Sequence, residues 1–160
     1  FDTRTNILKV SAQTHPEKEQ YRQLFGQVFF GNAEQFPAGD IYTLSSMQGA
    51  DFRLRVPDGI DWATLSEIWV QTDDDHHILQ ITRGYNLLKS ASEKALPNLA
   101  KGEILRAAFK VKYAVGGKPR RFEVRPPNIA IYDRDRDGVA AEAFLKVNRF
   151  FKGEPEWAIT

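Results

Sequence analysis

The chain has 160 residues, of which 42% are hydrophobic and 27% charged, with no cysteine and a formal net charge of +1. That length suits one domain able to bury a core without staples, and the missing thiols remove disulfides, thiolate metal sites and cysteine nucleophiles together. No run of eighteen apolar residues is present, which argues against a membrane-spanning helix, and there is no N-x-S/T sequon or charged-then-apolar leader pattern.

The near-zero net charge hides segregation. Residues 101–125 hold Lys101, Arg106, Lys110, Lys112, Lys118, Arg120, Arg121 and Arg125 against Glu103 and Glu123, so this segment carries the positive excess of the whole chain.

Taken in order, residues 5–11 read as a first strand. Pro16 at a helical N1 position, preceded by Thr14 or His15, predicts a helix to about Leu24 with Tyr21, Leu24 and Phe25 as its stripe. The short apolar run 28–30 follows, then a loop containing Pro37 and Gly39. Residues 41–45 predict a strand, and 52–56 another, since Phe52, Leu54 and Val56 alternate with Arg53 and Arg55. Residues 65–72 and 77–83 flank an acidic tip and predict a hairpin, and 85–95 a helix that stops before Pro97.

The strongest pattern is residues 104–115, a turn at Gly116-Gly117, and 120–125. Phe109, Val111, Tyr113, Phe122 and Val124 fall in one phase and Lys110, Lys112, Arg121, Glu123 and Arg125 in the other. A short strand at 128–132 and a helix from Gly138 to Phe151, capped by Asp137 and striped by Ala140, Ala143, Phe144, Val147 and Phe151, complete the chain. The expected fold is α+β: a largely antiparallel, hairpin-rich sheet with about three helices packed mainly on one face, in a single domain spanning 1–160. The start at Phe1 suggests a domain cut from a longer protein with neighbouring domains, and cytoplasmic location is the default expectation.

Three constellations bear on function. Lys110, Lys112, Lys118, Arg120, Arg121 and Arg125, joined by Arg53 and Arg55 if their strand lies nearby, form the footprint expected for phosphates, nucleic acid being the largest such ligand. A solvated sheet face rich in Lys and Arg would look the same. Asp133, Asp135, Asp137 and Gly138 resemble the opening of a calcium loop, but the twelfth position, where a bidentate Glu belongs, is Phe144. Helix capping accounts for the same acids. The run Asp73, Asp74, Asp75, His76, His77 is dense in metal-ligating types, yet adjacent strand residues point to opposite faces. Neither a nucleophile elbow nor a phosphate-cradling glycine loop occurs, and no catalytic residue can be nominated. The reading is therefore a non-catalytic binding or regulatory module that presents residues 101–125 to nucleic acid or another polyanion. The alternatives are docking of an acidic protein partner or neighbouring domain, and a calcium- or magnesium-dependent enzyme or calcium-binding module using residues 133–138.

Overall fold

The computed structural model describes residues 1, 8, 10, 14–36, 40–72, 78–90 and 99–152, apart from the side chains of His15 and Ser90. The chain divides into two compact units, Phe1–Gly39 and Asp40–Thr160.

The first unit is built on α1 (His15–Phe30). Thr14 closes a capping box: its hydroxyl accepts from the Glu17 amide at 3.4 Å, and the Glu17 carboxylate accepts from the Thr14 amide at 3.0 Å. The helix runs beyond the expected end at Leu24 and absorbs residues 28–30, because nothing breaks it before Gly31 takes a left-handed φ of 69°. Phe1, Phe25, Phe30 and Phe36 cluster with ring centroids 5.2–6.3 Å apart. Of the expected stripe, only Phe25 turns into this cluster; Tyr21 and Leu24 are exposed, together with Val28 and Phe29.

The second unit is a five-stranded antiparallel sheet, with α2 (Leu87–Ser90) and α3 (Arg134–Val147) beside it. Its strands are β1 (Ile60–Thr72), β2 (Leu79–Arg83), β3 (Gly102–Tyr113), β4 (Arg120–Arg125) and β5 (Ile129–Ile131), in the order β2-β1-β3-β4-β5. The α+β architecture and both hairpins follow the sequence pattern. Gly116 and Gly117 have φ of 93° and 89°, a conformation that explains why two glycines join β3 to β4. Phe109, Val111, Phe122 and Val124 face α3, and Phe144 of that helix meets Phe109 and Phe122 edge-on at 5.4 and 5.2 Å. Phe150 closes the same cluster, 5.6 Å from Phe109.

Several boundaries differ from expectation. Helix α3 begins at Arg134 with Asp133 as its cap, one turn before Asp137, and the Asp133 carboxylate accepts from the Arg136 amide at 3.2 Å. Its buried stripe is accordingly Asp137, Ala141, Phe144 and Leu145, not the set counted from Gly138. Residues 52–56 lie in no strand: burial alternates from Phe52 to Arg55 but fails at Val56, which is exposed, and Asn148 satisfies the Arg55 backbone, accepting from its amide at 2.8 Å and donating to its carbonyl at 2.9 Å. Residues 41–45 form one isolated bridge, Tyr42 to Phe151, before a 3-10 turn over Ser45–Gln48. The proposed strand at 5–11 (apart from residues 8 and 10, which belong to no element), the loop at 37–39, the acidic tip at 73–77 and the helix beyond Ser90 lie outside the described residues.

Candidate interaction surface on the open sheet face

Strand alternation leaves one sheet face against α3 and turns the other away from it. Cross-strand register fixes what the second face carries: Leu79, Ile81 and Arg83 on β2; Thr64, Glu67 and Trp69 on β1; Arg106, Ala108 and Lys110 on β3; Arg121, Glu123 and Arg125 on β4; Ile129 and Ile131 on β5. Three register shifts between β1 and β3 interrupt strict alternation. The shift between Leu65 and Glu67 sends Leu65 into the core and Glu67 to the open face, although they are two residues apart.

At the centre stands an ion-pair lattice. Glu123 is 2% exposed and Glu67 6% exposed, although both sit on the face away from α3. Arg106 lies between them, its Nη2 2.6 Å from Glu123 Oε2 and its Nη1 3.6 Å from Glu67 Oε1. Arg121 donates through Nε to Glu123 at 3.0 Å, and Arg125 donates to the other Glu123 oxygen. Arg83 reaches Glu67 Oε2 at 3.0 Å, while the Trp69 indole donates to Glu67 Oε1 at 2.7 Å. The Arg106 guanidinium also stacks 4.7 Å from the Trp69 ring centroid. Burial pushes the Glu67 carboxyl up, but the Trp69 and Arg83 hydrogen bonds and the Arg106 charge outweigh it and hold the group below the usual carboxylate range. Glu123 follows the same balance: burial raises it, and bonds from Arg106, Arg125 and Arg121 bring it below its ordinary value.

Apolar side chains flank this lattice on both sides. Leu79 and Ile81 are 45% and 44% exposed on β2, and Ile129 and Ile131 are 46% and 49% exposed on β5. Leu79 and Ile81 adjoin Trp69 and Glu67 on β1, Ile129 and Ile131 adjoin Arg125 and Glu123 on β4, and exposed apolar groups around a Trp and arginines are a combination that protein interfaces use.

The cations singled out in the sequence do not form one patch. Lys110 is exposed on the open face opposite Arg121, without an ion-pair partner among the described residues. Arg121 and Arg125 share that face but are held by Glu123. Lys112 curls onto the Gly117 carbonyl at 2.5 Å, and Lys118 is exposed at the hairpin turn. Arg120 points to the α3 side, where its Nε lies 2.7 Å from Asp137 Oδ2, a second nitrogen bonds Oδ1, and its guanidinium stacks 4.8 Å from the Tyr113 ring. Burial pushes the Tyr113 hydroxyl up to about 12. Arg53 and Arg55 lie on the segment tied to Asn148 at the end of α3, on the helical side of the sheet.

The three acids of 133–137 are dispersed over the first turn of α3. Asp133 caps the helix, Asp135 is exposed, and Asp137 is buried against Arg120. Among the described residues no three carboxylate or imidazole groups converge on a common point. Also among them, no helix is long and apolar enough to cross a membrane.

Sequence reasoning missed Glu67 and Arg83 as parts of this face, and counted Arg106 only among the cations of 101–125. The sequence trace of Glu67 is its position two residues before Trp69, which puts both side chains on one strand face. Compared with known proteins, the chain matches no family model, no curated protein and no solved structure.

Proposed function

We infer that the Asp40–Thr160 unit is an interaction module whose open sheet face docks a partner protein bearing acidic groups. The observation that carries this reading is the pair of exposed aliphatic flanks, Leu79 with Ile81 and Ile129 with Ile131, on either side of an arginine-rich centre. Phosphate binding would need the cations and leave the aliphatics without a role, whereas a protein surface uses both. The lattice also favours a protein. Arg83, Arg106, Arg121 and Arg125 are paired with only two carboxylates, Glu67 and Glu123, which presets their geometry for a further carboxylate and halves the charge offered to a polyanion. Lys110, together with Lys118 at the turn, supports a second reading, binding of nucleic acid.

Two variants of the face separate the readings. Protein docking predicts that a partner captured on the immobilised chain is released both by Ile131→Asp and by Lys110→Glu combined with Arg121→Glu. Labelled single- and double-stranded oligonucleotides should then give little anisotropy change even at low salt. Oligonucleotide binding that weakens steeply with salt, disappears on charge reversal and survives Ile131→Asp would sink the protein reading in favour of nucleic acid.

A further inference from the structure

Strand β2 is an edge of the sheet, and its hydrogen-bond phase can be read from its two ends. The Thr72 amide donates to the Ile78 carbonyl at 2.9 Å, and the Gly84 amide donates to the Ser66 carbonyl at 3.0 Å. In an antiparallel ladder the residues that bond inward alternate, so Gln80 and Thr82 also bond to β1. The amides and carbonyls of Leu79, Ile81 and Arg83 therefore point outward, and none has a partner among the described residues.

Devices that normally blunt such an edge are missing from β2. The strand Leu79–Arg83 contains no proline or lysine, and its register with β1 is unbroken by a bulge. Its one charge, Arg83, is paired with Glu67 of the neighbouring strand β1. Four of the strand's five residues are exposed, with only Thr82 half-buried.

We propose that this edge pairs with the same edge of a second copy of the chain, antiparallel about Ile81. The argument for a like partner is self-complementarity under a twofold axis. Ile81 meets Ile81 of the other copy, Leu79 lies along the aliphatic stem of the opposite Arg83, and Gln80 faces Thr82. The two Arg83 side chains fall at opposite ends of the ladder, so no like charges stand directly across from each other. Up to about six main-chain hydrogen bonds form, two for each outward-facing pair. The two sheets become one, and their Leu79 and Ile81 side chains merge into a single aliphatic patch on the open face.

Sedimentation velocity of the full chain across a wide concentration range tests this. A reversible monomer–dimer equilibrium is expected. Ile81→Pro removes an outward amide without touching the β1 ladder, and Ile81→Lys opposes two ammonium groups at the axis; each should weaken association by about tenfold or more. Far-UV circular dichroism checks that the sheet persists; should the proline variant unfold, the lysine variant, at a side chain already exposed, decides alone. Ile131→Lys, on the opposite edge strand, should leave the dimer intact. A monomer at every concentration, or a dimer indifferent to Ile81→Lys, overturns the proposal. Neither outcome bears on whether the open face docks another protein.

Discussion

Glu123 is the side chain that ties the arginines of β3 and β4 together. It is nearly inaccessible to water, yet charged, because Arg106, Arg121 and Arg125 donate to its two oxygens. Removing an acid from such a group leaves Arg106 buried without its closest partner, which costs more than the pair itself contributes. Glu123→Gln should therefore destabilise the protein by about 3 kcal/mol in urea unfolding, the lower end for buried pairs because Arg121 and Arg125 are half exposed. The pH dependence has a defined sign. Glu67 and Glu123 titrate lower in the folded chain than in the unfolded one, so their contribution is complete above the unfolded carboxylate value of about 4.3 and falls away as pH drops through the folded values. Acid titration of stability should show this loss for the parent protein and a smaller one for Glu123→Gln. The sequence put Arg121, Glu123 and Arg125 in one outward phase, but the charge census had no means of bringing Glu67 and Arg83 to them from another hairpin.

Among the secondary elements, legibility depended on whether hydrophobic period and hydrogen bonding agreed. They agree in β3 and β4, where side chains alternate over a paired ladder and two glycines supply the turn. They part at 52–56, where alternation holds only as far as Arg55 and the Asn148 side chain stands where a neighbouring strand would be. Helix α3 failed differently: its first turn is polar, so apolar spacing shows nothing until Ala140, and Asp137 before a glycine looks like a cap. Asp133 makes the capping bond instead. Asp133→Ala should thus lower stability by about 1 kcal/mol, whereas Asp135→Ala should cost only a few tenths, as thermal or urea unfolding would show.

For the unit as a whole, α3 is fixed to the sheet by two unlike contacts, the phenylalanine cluster and the Arg120–Asp137 pair at the helix's first turn. Arg120→Met leaves the Asp137 carboxylate buried and unpaired and should destabilise by about 3 kcal/mol or more. Adding Asp137→Leu to it should recover much of that loss, a non-additivity that chemical denaturation of the single and double variants measures directly.

The bridge between Tyr42 and Phe151 has one more implication. Thr43 donates to the Phe150 carbonyl and Lys152 to the Ile41 carbonyl at 2.9 Å each, so the first and last described residues of this unit lie side by side. Evolution can splice such a cassette into a loop of a host protein with little strain on either, and an engineer can join residues 152 and 40 by a short linker and reopen the chain at the exposed turn after Gly117.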